Sequence, residues 1–197
     1  CICTGLGLDG NGQKMSKRLG NVVDPMELVK TTGADAIRWY MIAATDPLNS
    51  RRFSKDIVDE TIRGFLGTLR NTYAFFVLYA NVDGFDPASL APPEQERKLT
   101  DRWILASLRR CAAFATEHLD RYDLTPAARA IQEFLTYDLS NWYVRVNRAR
   151  FWKSESDTDK AAAHHTLHEV LTTLARLIAP FVPFIAEEIW QNLVVRG

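Results

Sequence analysis

The sequence predicts a mainly α protein, a helical bundle preceded by a short unit of strand, loop and small helices. Three observations carry this. Apolar residues recur at three- and four-residue steps through four long stretches, the period of a helix with one buried face. Each stretch is bounded by a capping residue or by a polar connector bearing Pro or Gly. Strand-like alternation is confined to Cys1–Leu8. With 197 residues, 47% of them hydrophobic, the chain can build a real core in one or two domains.

The elements follow in order. After the strand, Asp9-Gly10-Asn11-Gly12 is a tight-turn signal, because Gly and Asn tolerate positive φ. A basic stretch comes next. Asp24 then caps a short helix with Pro25 in its first position, and Gly33 ends it. Residues 34–44 give a second short helix rich in apolar bulk (Ile37, Trp39, Tyr40, Ile42). Past Asp46-Pro47 the character changes, and we divide the chain into residues 1–53 and a bundle over 54–197.

Ser54 caps the first long helix, in which Ile62, Leu66, Leu69, Tyr73 and Phe76 keep helical register. Residues 83–93 are a loop. Thr100 is read as the cap of a helix striped by Ile104, Leu108, Ala112, Ala115 and Leu119. Thr125-Pro126 opens the next, carrying Leu124, Ala128, Ile131, Leu135 and Trp142. A polar connector over 153–159 leads to a helix with Leu167, Leu171, Leu174 and Ile178 in register. Pro180 and Pro183 interrupt and restart the last helix, with Phe181 and Phe184 filling the bundle end and Trp190 packing.

Composition excludes several classes. Lys+Arg equals Asp+Glu at 24 each, so a nucleic-acid surface must be a local patch. No apolar run approaches the roughly 20 residues that span a bilayer, so no membrane partner is expected. Cys1, Cys3 and Cys111 lack the spacing of a zinc site, and no metal site is expected. An odd cysteine count without a secretory leader fits reduced thiols and a cytoplasmic location. His164, His165 and His168 have no ligand partners at metal spacing and are read as surface residues. Arg51-Arg52 is read as a solvated pair, with contact to an RNA stem as the alternative. Because the chain opens on Cys1, in the middle of a strand pattern, it is expected to be part of something longer.

Residues 10–21, GNGQKMSKRLGN, hold the first candidate chemistry. Glycines let the backbone bend, Met15 can pack inward, and Lys14, Lys17 and Arg18 face out. Such cations neutralise a transferring phosphate or a leaving pyrophosphate. A mobile loop can deliver them when the transition state needs them. The G-x-x-x-x-G-K-[ST] spacing of a Walker loop is absent.

Lys14-Met15-Ser16-Lys17-Arg18 resembles the KMSKS loop of class I aminoacyl-tRNA synthetases, and Leu19–Pro25 and Gly33–Arg38 continue the resemblance. The resemblance implies that the loop closes over ATP through Lys14, Met15, Ser16, Lys17 and Arg18. Lys14 and Lys17 would be its catalytic residues, Lys17 stabilising pyrophosphate during adenylate formation. The family's usual serine is replaced by Arg18, which adds charge. The group for Ile, Val, Leu and Met follows its catalytic core with a helical anticodon-binding domain, and Ala179–Trp190 is similar to that domain's closing helix.

Residues 138–152, DLSNWYVRVNRARFW, together with Asn71-Thr72-Tyr73 and Tyr79-Ala80-Asn81, resemble the isoleucine branch of that family. At about 100° per residue, Asn141, Arg145, Arg148 and Trp152 share one stripe. Arginines can bind phosphates or base edges, and tryptophan can stack an unpaired base. The rival is structural, with the arginines paired to carboxylates and the tryptophans in the core; Trp142 is read as core. Arg38 and Trp39 are expected to hold the short helices against a catalytic core.

The resemblance implies an isoleucine–tRNA ligase that uses ATP and Mg²⁺ and charges tRNA(Ile). Its His-Ile-Gly-His motif, amino-acid pocket and editing domain would lie outside these residues. The alternatives are a valine enzyme, a non-catalytic tRNA-binding helical module, or a helical protein-interaction domain.

Overall fold

In the computed structural model, which describes residues 4–153 and 156–196, the chain is helical apart from one minimal sheet. Strands β1 (Gly7–Leu8) and β2 (Arg51–Arg52) pair in parallel, Gly7 opposite Arg51 and Leu8 opposite Arg52. The backbones close tightly beside this sheet: a Cβ on Gly5 would lie 2.0 Å from the Asn49 carbonyl oxygen, so only glycine fits there. The expected zinc-free Cys1-x-Cys3 pair and the start of the predicted strand lie outside the described residues. So do residues 154 and 155 of the polar connector.

Helix α1 (Pro25–Thr32) starts as its sequence dictates, the Asp24 carboxylate accepting the Met26 N–H at 2.8 Å. Helix α2 (Ala34–Ala43) follows directly after Gly33. Helices α3 (Lys55–Thr61) and α4 (Gly67–Asp83) form one rod, joined by a π-helical turn over Ile62–Leu66. Helix α5 (Leu99–Asp120) is followed by α6 (Leu124–Glu133). The latter runs through an eleven-residue π-helical stretch, Phe134–Val144, into α7 (Arg145–Trp152). Helices α8 (Asp157–Ile178) and α9 (Pro183–Trp190) close the bundle.

The predicted stripes supply the core. Leu69, Phe76, Ile104, Ile131, Leu135 and Leu171 are all buried, each worth roughly 1.5–3 kcal/mol relative to exposure. Beneath them lies a polar clamp. The Arg150 guanidinium donates to Asp101 at 2.7 and 2.8 Å and to Asp159 at 2.7 Å, and the Tyr143 hydroxyl donates to Asp101 at 2.7 Å. This ties α5, α7, α8 and the π stretch together. Burial opposes the charge on Arg150, but its carboxylate partners outweigh that and hold it protonated.

Helix α2 is locked onto the bundle at both ends. At its N-terminal end, Asp35 accepts the Ile185 N–H at 2.8 Å, and Arg38 donates to the carbonyls of Phe181 and Pro180 at 2.9 and 2.8 Å. At its C-terminal end, Thr125 and Arg129 of α6 donate to the Ile42, Ala43 and Ala44 carbonyls at 2.7–2.9 Å. These are the orphan carbonyls of a helix end. Trp39 stacks flat on Phe65, centroids 3.5 Å apart. Arg38 and Trp39 therefore serve the bundle itself, which corrects their expected role against a catalytic core.

Four further expectations are corrected. Helix α5 begins after Lys98, and Thr100 instead donates to Asn147 at 3.0 Å. Phe181 is buried, but Phe184 is 69% exposed, since its backbone N–H lies at the start of α9 facing Asp35. His164 and His165 are buried, not on the surface. His164 meets Asp83 at 2.9 Å and lies 5.3 Å from the Phe85 ring centroid, His165 meets Ser89 at 3.1 Å, and His168 meets the Leu193 carbonyl at 3.0 Å. The 84–98 loop folds back and covers this face, which is why local sequence does not reveal it. Arg51 is likewise buried, its guanidinium donating to the Met41 carbonyl.

Candidate functional site

Two surfaces carry the candidate chemistry. The first is the basic loop. Leu8 and Lys14 form an antiparallel bridge, so the chain doubles back through the predicted turn. Asp9 organises that turn by accepting the Asn11 and Gln13 N–H groups at 3.0 and 2.8 Å. Gly12 adopts φ +85°, and a Cβ there would sit 3.3 Å from the exposed Arg52 guanidinium. A side chain is thus disfavoured twice at this position.

Past the bridge the loop tightens into a single 3-10 turn, Lys17–Leu19, in which Ser16 Oγ accepts the Arg18 N–H at 3.2 Å. Asn21 holds the two limbs together. Its Nδ2 donates to Asp9 at 2.9 Å and to the Lys14 carbonyl at 3.3 Å, while its Oδ1 accepts the Ser16 N–H at 2.8 Å. The Asn21 amide is the first cause holding the Asp9 carboxyl below its ordinary range. Met15 and Ser16 are half-buried, whereas Lys14, Lys17 and Arg18 are exposed. None of those three cations makes an ion pair among the described residues. The loop is therefore a pre-shaped cradle with three uncommitted cations, suited to a polyphosphate.

Sequence reasoning placed Asp9 in the turn but missed its carboxylate as the group that organises it, and missed Asn21 altogether. The available signal was their chemistry: Asp and Asn bond to backbone in turns.

The second surface is the outward face of the helix that ends at Trp152. Asn141, Arg145, Arg148 and Trp152 are all exposed, Trp152 at 46%. The Arg148 guanidinium lies 5.4 Å from the Trp152 ring and 5.9 Å from Phe75, cation–π distances. Trp152 also leans on Tyr79 of α4, centroids 6.1 Å apart. Arg145 has no carboxylate partner among the described residues. The carboxylates of this region go to Arg150 instead, on the buried side of the same helix. Trp142, read as core, is 39% exposed. The π-helical stretch widens each turn, and Leu139 and Tyr143 take the buried positions on either side of it.

The two surfaces lie more than 120 residues apart in the sequence. A cleft of about 620 Å³ between α2, α3 and α6, lined by Tyr40, Glu60, Arg129 and Tyr137, contains none of the candidate residues. Among the described residues no group of three or more His, Cys, Asp or Glu side chains could hold a metal ion. No helix there is long and apolar enough to cross a membrane.

Residues 1–54 match the family model described as tRNA synthetases class I (I, L, M and V), and residues 101–196 match the anticodon-binding domain of tRNA ligase. The isoleucine–tRNA ligase of Thermus thermophilus is 51% identical over 193 residues, 98% of this chain and 18% of that protein. That of Dehalococcoides mccartyi is 50% identical over 98% of this chain and 19% of its own length. The chain thus spans less than a fifth of the curated relatives it matches. Mycobacterium tuberculosis methionyl-tRNA synthetase in complex with methionyl-adenylate is similar over 94% of this chain and 36% of that one, with a TM-score of 0.78 and 28% identity. A ternary complex of Agrobacterium radiobacter LeuRS with tRNA and LeuAMS shares the fold over 98% of this chain and 22% of its own, with a TM-score of 0.73 and 23% identity.

Proposed function

Since the chain belongs to the class I tRNA synthetases of the I, L, M and V group, we propose that it is the loop-bearing and anticodon-binding part of an isoleucine–tRNA ligase. Residues 1–53 would end the catalytic domain and residues 54–197 would form the tRNA-binding bundle. The parent would activate isoleucine with ATP and transfer it to tRNA(Ile) in the cytoplasm. Its amino-acid pocket and editing domain would be supplied by other parts of the same protein.

The observation that carries this reading is the loop. Three exposed cations, unpaired among the described residues, stand on a turn fixed by Asp9 and Asn21. Lys14 and Lys17 would be the catalytic pair, neutralising charge as pyrophosphate leaves. Met15 and Ser16 would seat the loop against ATP, and Arg18 would add a further phosphate contact. Mg²⁺ would arrive on the ATP phosphates, where it keeps most of its ligands. On the second surface, Asn141, Arg145, Arg148 and Trp152 would contact the anticodon loop, combining phosphate neutralisation with stacking.

The test is amino-acid-dependent exchange of pyrophosphate into ATP by the full-length protein, followed by charging of tRNA(Ile). Exchange supported by isoleucine, and reduced on the order of 100-fold in kcat by Lys17→Ala, is the expected result. Preference for valine in the charging step would assign the valine branch instead. The 197-residue chain alone is expected to show no exchange, because one loop does not assemble the site.

A further inference from the structure

Trp103 of α5, half-buried against the core, and Trp142 of the π-helical stretch, 39% exposed, form an aromatic pair outside the stripe described above. Their ring centroids lie 4.3 Å apart with planes at 52°. Helix α5 and this helix run antiparallel in a register marked by Ser107 with Asp138, Trp103 with Trp142, and Thr100 with Asn147. Leu99 on α5 is 72% exposed and Val146 on α7 is 57% exposed. At the seam the Trp142 ring is open to solvent and is backed by Trp103.

Its rim is cationic. From Leu139 to Lys153 the chain contains no Asp or Glu. The exposed charges there are Arg145, Arg148 and Lys153, and Arg102 precedes Trp103 on α5. Trp142 is next to Asn141 and three residues before Arg145, so its ring borders the arginine stripe on the α5 side. Trp152 borders it on the α4 side, through Tyr79. Flat aromatic faces beside guanidinium groups that have no carboxylate partner among the described residues match a ligand with a π-face and a phosphate on each unit, which is single-stranded nucleic acid.

We propose that Trp103 and Trp142 form a second stacking platform, which holds an unpaired nucleobase of the bound tRNA on the flank of the stripe opposite Trp152. This rests on the reading of Arg145 and Arg148 as tRNA contacts. Trp142 stacks the base, Trp103 fixes the Trp142 ring from behind, and Arg145 takes the adjoining phosphate.

The test measures binding of the 197-residue chain to an anticodon stem-loop RNA and to a fully paired stem of equal length, over a salt series. Trp142→Leu and Trp103→Leu keep apolar bulk but remove the ring. Each is expected to weaken stem-loop binding on the order of tenfold or more, with paired-stem binding and the salt slope unchanged. Arg145→Ala is expected to weaken both RNAs and to shallow the salt slope by about one. A second readout leaves both tryptophans of the platform in place. In a Trp152→Phe background, tryptophan emission is expected to be quenched by the stem-loop and not by the paired stem. If both Leu variants bind like the parent while Arg145→Ala weakens binding, or if no quenching occurs, the platform is refuted and the arginine reading stands. If the chain binds neither RNA, or Arg145→Ala changes nothing, both fall.

Discussion

The Asn21 carboxamide hydrogen-bonds to the Asp9 carboxylate at 2.9 Å across the mouth of the basic loop. The same side chain binds backbone on both limbs, at Lys14 and Ser16. One residue thus sets the position of the turn and of the cationic segment. Asn21→Ala removes three hydrogen bonds at a half-buried surface site that water can enter. Unfolding free energy is therefore expected to change by no more than about 0.5 kcal/mol. In the full-length protein, isoleucine-dependent pyrophosphate exchange is expected to drop on the order of tenfold in kcat, because the lysines lose their fixed approach. An exchange rate matching the parent's would show that the loop finds its pose without this pin.

Asp35 and Arg38 make a second, larger-scale clamp. They are one helical turn apart on α2 and grip both sides of the α8–α9 corner. Asp35 satisfies an N–H at the start of α9, and Arg38 satisfies carbonyls past the end of α8. Asp35→Ala leaves a buried N–H without its acceptor and should cost about 1–2 kcal/mol. For a chain of this size that is a fall in Tm of roughly 2–8 °C, read by circular dichroism. A Tm within one degree of the parent's would mean that water replaces the carboxylate fully.

Much of this architecture is legible in the sequence because its causes are local. Asp24 and Pro25 start a helix wherever they stand before an apolar stripe, and the structure places the cap there. Asp9-Gly10-Asn11-Gly12 makes its turn with its own side chains. The heptad-like spacing of Leu167, Leu171, Leu174 and Ile178 reads directly as a buried face. The failures share one cause: partners distant in sequence. His164 and His165 are buried by Phe85 and Ser89 of the 84–98 loop. Arg51 is buried by α2. Trp142 turns outward because the helix is π-wound there, which no periodicity at 3.6 residues anticipates. At the candidate site the cations and the turn at Asp9 were legible, whereas Asn21, which ties that turn to the cationic segment, was not.

Arg148 and Arg150 sit two residues apart on α7 and should behave oppositely. Arg150 is 7% exposed and ion-paired to Asp101, whose side chain is fully buried. Arg150→Met strands that carboxylate and should destabilise by about 3–5 kcal/mol in urea titrations. Arg148 is exposed and among the described residues lies against the rings of Phe75 and Trp152 with no ion pair, so Arg148→Met should cost at most about 1 kcal/mol. RNA affinity should reverse this order at a temperature where both variants are folded, since only Arg148 presents its charge to solvent. Equal losses of stability would place the buried clamp outside the chain's folding core.

The buried histidines give the fold an acid limb that can be calculated in sign. Burial is the first cause lowering the pKa of both His164 and His165 below 6.5, and at His164 it outweighs the raising effect of Asp83. The unfolded chain then binds more protons than the folded one at pH values just below 6.5. Stability from these groups is full above that value and declines as pH falls toward the depressed folded values. Asp83 acts in a separate window. Burial would raise its pKa, but its bonds to Lys160 and His164 prevail and lower it, so its contribution is lost only below 3.8. Thermal melts between pH 7.5 and 5.0 therefore isolate the histidines. Tm is expected to fall across this range in the parent and to fall less steeply in His164→Gln, which keeps a donor for Asp83 but cannot be protonated. Identical slopes in the two proteins would remove His164 from the acid limb and leave His165 as its source.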